Sequence, residues 1–303
     1  MRRAGWYTGA VRRLIVNADD FGFTSGVNRA IVEAAAAGAI TSTTLMAGSP
    51  RFAEAVELAK QQPELGVGCH VVLVDGEPVL PAAKLPTLAP GGRFRDSLLR
   101  FARAVVRGEI DPMEIEAEAA AQMKKIAGAG LALTHFDTHK HAHLFPRVLA
   151  PVTRAAVACG VRALRNPFAP VRPLAFAHLA RRPRLWKRYT EVRLLRKYLR
   201  NFRDTVTGMG LAAPDGCFGV LVTGALDQAL FDAIAGSIPE GTWEFVCHPG
   251  YDDDELRAAR TRLKESRRRE LDVLTSAQSR AALAAAGVEL ISFRELAAAY
   301  EGP

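Results

Sequence analysis

Runs rich in β-branched and apolar residues recur along the chain. Between them lie stretches whose apolar residues return every three or four positions. Eight runs predict strands: Leu14–Ala18, Ser42–Ala47, Gly66–Val74, Leu133–Thr138, Ala163–Arg165, Phe218–Val222, Trp243–Cys247 and Glu289–Phe293. The intervening periodicity predicts helices over Gly26–Ala37, Arg51–Gln61, Ile115–Ala127, Arg147–Cys159, Leu226–Ala235, Ser266–Ala286 and Arg294–Tyr300. Gly38 marks the end of the first helix, and Ser49-Pro50 and Pro63 bracket the second. Alternating β and α elements imply a parallel sheet with helices outside it. Eight such units predict an α/β fold, a single irregular (β/α) TIM-like barrel, and such barrels carry their chemistry at the C-terminal ends of the strands.

No repeat or low-complexity linker divides the chain. The predicted organisation is a flexible basic N-terminal tail over residues 1–12 and a single domain over 13–303, with insertions at 75–94 and 167–216. The first insertion holds Pro78, Pro81, Pro86 and Pro90 among three glycines, so it is not regular helix. It follows the strand ending at His70 and is expected to overhang the mouth of the sheet.

Composition adds little beyond a soluble globular class, at 49% hydrophobic and 24% charged. No apolar run is long enough to span a membrane. The basic N-terminus lacks the apolar stretch of a secretory signal, which predicts a cytoplasmic location. The cysteines at 69, 159, 217 and 247 form no C-x-x-C pair and read as reduced thiols. Charge is more informative. Between Arg172 and Arg203 stand eleven Lys or Arg against the single acid Glu191, a local +10 within a chain of net charge +8, so the remainder carries −2. Within it, residues 184–203 repeat apolar and aromatic positions at three and four, which predicts an amphipathic helix with a cationic face. Peripheral contact with an anionic membrane is the expected use of that face. A nucleic-acid role would need the same charges, but no nucleic-acid-binding module accompanies them. An oligomer remains compatible with the sequence.

Six of the seven histidines fall in three segments that end predicted strands. These are Gly68-Cys69-His70, the run Thr134 to His143, and Cys247-His248-Pro249. A fourth strand ends in Asn17-Ala18-Asp19-Asp20-Phe21-Gly22. Carboxylate and imidazole gathered at strand mouths build a catalytic divalent-metal site and supply a general base and acid. One carboxylate of the Asp19-Asp20 pair can bind the metal while its neighbour takes a proton. His70 is an expected ligand. Of the second segment, His139 is the expected ligand, His135, His141 and His143 are further contributors, and Asp137 orients an imidazole. His248 is placed to protonate a leaving amine, with a fourth-ligand or structural role as the alternatives. Glu244 lies in the same strand. Arg165-Asn166, at another strand end, are placed to hold substrate hydroxyls. An Asp-His-His set suits Zn²⁺ or Co²⁺.

These residues carry a family resemblance. Asn17 to Gly22, Thr41-Ser42-Thr43-Thr44, Gly68 to His70, Thr134 to His139, Cys247-His248-Pro249 and Glu270 to Ser276 resemble the YdjC-like carbohydrate deacetylases, from Arg13 to about Tyr300. Val74 to Pro81 is most similar to the hopanoid-biosynthesis-associated branch. The resemblance implies an irregular, polysaccharide-deacetylase-like barrel and metal-dependent removal of acetyl from an N-acetylated amino sugar, lipid-linked and of the N-acetylglucosaminyl hopanoid type. It implies Asp20, His70 and His139 as ligands of one divalent metal, Mg²⁺ by resemblance, with Asp19 as base and His248 as acid. The alternatives are a soluble chitooligosaccharide deacetylase, or a metal-dependent amidohydrolase or phosphoesterase on a similar barrel.

Overall fold

A computed structural model describes residues 11–170, 174 and 182–300. Its strands are β1 (Arg12–Phe21), β2 (Ser42–Leu45), β3 (Gly66–Val71), β4 (Phe136–Thr138), β5 (Gly216–Phe218), β6 (Gly241–Cys247) and β7 (Val288–Leu290). They form a parallel sheet ordered β4-β3-β2-β1-β6-β5. The long β1 has room for two neighbours along one edge: β7 pairs with Arg12–Leu14 and β2 with the stretch from Asn17. The tail expected over 1–12 falls mostly outside the described residues, and Arg12 already belongs to β1.

Among the described residues the chain makes seven regular strands rather than eight. Ala163–Arg165 contributes only isolated bridges, Leu164 to Phe136 and Ala163 to Ala212. The fifth strand ends at Phe218 rather than continuing to Val222. Gly219 turns away there with φ +93°, packed so closely on β6 that a Cβ would lie 2.0 Å from the Val246 carbonyl. The architecture among the described residues is therefore an α/β fold on a seven-stranded parallel sheet, with single bridges at the position where the barrel was expected to continue.

Both faces of the sheet are covered, as parallel sheets require. Alternation along β1 shows how the site is raised on its inner face. Leu14, Val16 and Ala18 join the main core, whereas Ile15 joins a small separate cluster with Ala163, Ala212, Ile291, Phe293 and Leu296. Two residues on, Asn17 Oδ1 lies 3.0 Å from His135 Nε2. Two further on, Asp19 meets Arg165. The inner face thus passes from apolar floor to polar layer to charged mouth.

The insertion 75–94 packs on the helix Pro112–Gly128 rather than standing free. Leu85, Leu88 and Ala89 are buried. Glu118 accepts from the Val79 and Leu80 amides, and Glu114 from the Thr87 and Leu88 amides. Its root stays near the mouth, where Asp75 accepts from Lys140 at 2.6 Å. The basic segment, expected as one amphipathic helix, is two helices, Trp186–Leu195 and Leu199–Gly208, joined by a tight turn at Arg196–Tyr198. Trp186–Leu195 has no fully buried residue. No described helix is long and apolar enough to cross a membrane.

Candidate active site

Two adjacent aspartates reach one cavity because β1 does not end as a regular strand. The pairing of β1 with β2 slips between Ala18 and Phe21, and Asp20 adopts φ +67°. This bulge with a left-handed residue undoes the alternation that would send the two side chains to opposite faces. β3 and β4 pair in a register that sets His70 opposite Asp137, and His139 follows directly after β4. His248 follows β6 in the same way.

Asp20, His70 and His139 converge. His70 Nε2 is 3.1 Å from His139 Nδ1, and each of these nitrogens lies 3.6 Å from Asp20 Oδ1. Metal bonds of about 2.1 Å to nitrogen and oxygen separate neighbouring ligand atoms by roughly 3–3.5 Å, so the three atoms fit a single divalent ion. The tautomer fits too. Asp137 Oδ1 accepts from His70 Nδ1 at 2.7 Å, which leaves Nε2 to face the other ligands when the ring is neutral. Thr44 completes this support, its hydroxyl 3.2 Å from His70 Nδ1 and 3.3 Å from Asp137 Oδ2. A second grouping, Asp19, His70 and Asp137, could also hold a cation by proximity. Arg165 already fills it, with donors on both carboxylates.

Arg165 is the electrostatic hub. It is 0% exposed. Its guanidinium grips Asp19 in a fork at 2.6 and 2.8 Å, pairs with Asp137, and donates through Nε to Glu244 at 2.8 Å. The placement on substrate hydroxyls expected for Arg165 and Asn166 is corrected: every guanidinium nitrogen serves a carboxylate, and the Asn166 amide donates to the Pro214 and Asp215 carbonyls. Burial would raise the Asp19 carboxyl, but Arg165 outweighs it and holds Asp19 well below its ordinary value. Asp20 is lowered against the same burial penalty, chiefly by Arg267. Burial would lower His70, yet Asp137, Asp19 and Asp20 hold its imidazole up at about 9. His139, with less carboxylate around it, is lowered by burial.

His248 Nε2 stands 3.8 Å from Asp19 Oδ2. The backbone of His248 donates to Glu270 at 2.7 Å. The other histidines do not meet the Asp20 cluster. His135 is stacked flat on Phe293 at 3.8 Å and reaches Asp19 only through Asn17. Lys140 and His141 turn the chain with positive φ, after which His143 Nδ1 pairs with the Thr138 hydroxyl at 2.7 Å.

Three site residues had no role assigned from the sequence, although Thr44 and Glu270 stand in the segments that carry the family resemblance. Thr44 is one. The others, Arg267 and Glu270, lie on the helix Glu265–Thr275. Arg267 donates to Asp20 Oδ2 at 2.5 Å, which leaves Oδ1 facing His70 and His139. A signal existed in the sequence, because Arg267 and Glu270 share the helix face of Leu271 and Leu274. Charges on a buried stripe need partners.

The YdjC-like protein family model matches residues 13–285. A carbohydrate deacetylase of Brevibacillus brevis is 35% identical over 286 residues, covering 94% of this chain and 99% of the relative. A carbohydrate deacetylase of Geobacillus stearothermophilus is also 35% identical, covering 94% and 98%. A crystal structure from Enterococcus faecalis V583, described as a suggested cellobiose-phosphate cleavage protein, superimposes with a TM-score of 0.74 at 26% identity, covering 95% of this chain and 99% of that one. With most of its length matched by the family model and by relatives above 30% identity, this chain belongs to the YdjC-like family.

Proposed function

We propose that this chain is a hydrolase of amide bonds, a metal-dependent carbohydrate deacetylase that frees acetate from an N-acetylated amino sugar. The observation that carries the reading is the Asp20-His70-His139 cluster flanked by two proton-transfer groups, Asp19 and His248, 3.8 Å apart. Asp20 Oδ1, His70 Nε2 and His139 Nδ1 would hold one divalent ion. When bound, such an ion lowers the pKa of water and polarises a carbonyl. Asp19 stays ionised beside Arg165 and accepts the proton of the attacking water. Oxygen adds to the acetyl carbon, the C–N bond breaks, and His248 protonates the departing nitrogen, which leaves as a free amine alongside acetate. Glu270 holds the His248 backbone so that the ring faces Asp19. The two-histidine, one-carboxylate set accepts Zn²⁺ or Co²⁺ on ligand softness, and Mg²⁺ is the ion suggested by the family resemblance.

The finer reading is a lipid-linked sugar of the hopanoid type. Its support is local. Trp186 and Leu194 stand 54% and 71% exposed in the basic segment. Tyr198 and Phe202 of that segment touch Phe145 and His143, beside the loop that carries His139.

Acetate release from an N-acetylglucosaminyl lipid and from N,N′-diacetylchitobiose, with added metal and with chelator, tests both levels. Release that chelator and His139→Ala both abolish is expected, with the lipid preferred. Turnover of the soluble disaccharide alone overturns the lipid reading, and no release from either overturns the deacetylase.

A further inference from the structure

A cleft of about 320 Å³ lies between the basic segment and the start of the helix Glu265–Thr275. Arg188 comes from the first side, and Arg262, Lys264 and Arg269 from the second. Glu265 is the one acid of the lining. Among the described residues, none of the four cations forms an ion pair with a carboxylate. Elsewhere this chain pairs its arginines freely, as Arg51 does with Glu255 and Arg268 with Asp272. Four unpaired cations around one cavity repel each other unless an anion joins them.

The cleft offers donors besides charge. Ser266 Oγ is buried there without a hydrogen-bond partner. The helix that begins at Glu265 has no side-chain cap, and its N-terminal amides and dipole favour negative charge. Arg188 is half-buried and donates to the Thr223 carbonyl, which fixes its stem in the wall. Burial lowers the proton affinity of Arg188 and the neighbouring Arg262 adds to the fall, while Glu191 and Glu270 oppose it.

We propose that this cleft is a phosphoryl-binding site. A phosphoryl group matches it better than a carboxylate, because it offers three acceptor oxygens and up to two charges. The site is joined to the chemistry through a single side chain. Glu270 accepts from the amide of Gly224, which lines the cleft, at 3.1 Å, and from the amide of His248 at 2.7 Å. The phosphoryl group can come from a membrane lipid headgroup or from a soluble phosphate compound, and both use the same donors.

Calorimetric titration of the full chain with inorganic phosphate, against chloride at equal ionic strength, tests the site without turnover, so its outcome is independent of the deacetylase reading. Phosphate is expected to bind where chloride does not. Roughly tenfold weaker binding is expected in Arg262→Gln/Arg269→Gln, which loses two charge-assisted contacts. Both residues are exposed, and circular dichroism checks that the variant folds. Sedimentation with phosphatidylglycerol–phosphatidylcholine vesicles identifies the source. Capture that free phosphate reverses assigns the group to a headgroup, and phosphate binding without capture assigns it to a soluble compound. The proposal fails if phosphate binds no better than chloride, or if the double variant binds it as the wild type does, whatever the vesicles do.

Discussion

One guanidinium and three carboxylates share the centre of the site, and that imbalance decides the state of Glu244. Burial is the largest influence on its carboxyl, with Arg165 opposing and Asp137 and Asp19 adding to the rise, and the result is about 8. Glu244 Oε2 lies buried without a hydrogen-bond partner. A folded-state value raised above the ordinary 4.5 favours the fold most at low pH. That contribution is lost as pH climbs from about 4.5 through about 8, because the unfolded chain gives up the proton first. Glu244→Gln keeps the neutral shape and removes the titration. Its stability should match the wild type near pH 5 and exceed it by on the order of a few kcal/mol at pH 8, read by urea unfolding at both values. An unchanged pH slope would show that Glu244 is ionised in the fold. The histidines and aspartates of the mouth were legible because such residues at strand ends have few structural uses. Arg165 was legible only as a position. Its partners come from β1, β4 and β6, and no local pattern records which side chains will converge across a sheet. Arg267, and the role of Glu270, were hidden for a related reason: on a helix, charge is read first as solvent-facing.

The elements were legible where periodicity was strong and blurred where glycine or polar residues took over. β1, β3 and β6 and the helices around them lie close to their predicted spans. The helix expected over Ser266–Ala286 divides at Ser276, whose side chain caps a new helix at Ala277. The helix Leu98–Arg107 went unread beside the proline-rich insertion. Ala163–Arg165 reads as a strand by composition but has only single-bridge partners, a fact set by tertiary context. The same context explains Gly68 inside β3, where strand propensity argues against glycine. A Cβ there would lie 2.6–2.7 Å from the His135 ring, whose other face is stacked on Phe293. The imidazole is sandwiched, and Gly68 is one side of the sandwich. Gly68→Ala should therefore destabilise the fold by roughly 1–3 kcal/mol, the ordinary cost of overpacking. Chemical denaturation reads it directly. Gly68→Ala/His135→Ala should recover part of the loss, and a double variant as unstable as the sum of the singles would remove His135 as the cause.

At the scale of the molecule, the Asp20-His70-His139 cluster joins parts far apart in sequence. Asp20 belongs to β1, His70 to β3, and His139 to the turn after β4, so an ion held by all three ties half of the sheet together. Binding must then be linked to folding and to protons. Without metal, His70 is held up at about 9 against an ordinary 6.5, so the folded chain keeps a proton that the unfolded chain releases. The stability this confers is present below about 6.5 and is lost as pH rises through about 9. A metal on His70 Nε2 must displace that proton. Metal binding near pH 7 should therefore release about one proton per ion, and affinity should climb roughly tenfold per pH unit until about 9. The two slopes have opposite signs and offset each other. Chelated protein should lose the His70 contribution between pH 6.5 and 9, whereas protein with metal in excess should be spared that loss, so the gap between the two curves widens across the range. Thermal unfolding across that range, with chelator and with added Zn²⁺ or Mg²⁺, separates them. His139→Ala should abolish the metal-dependent gain while leaving the chelated curve close to wild type, since the carboxylates that hold the proton on His70 remain. Parallel curves with and without metal in the wild type would mean that His70 is not a ligand. A His139→Ala curve still shifted by metal would place the ion elsewhere, and the cluster would then be a hydrogen-bonded network without a metal role.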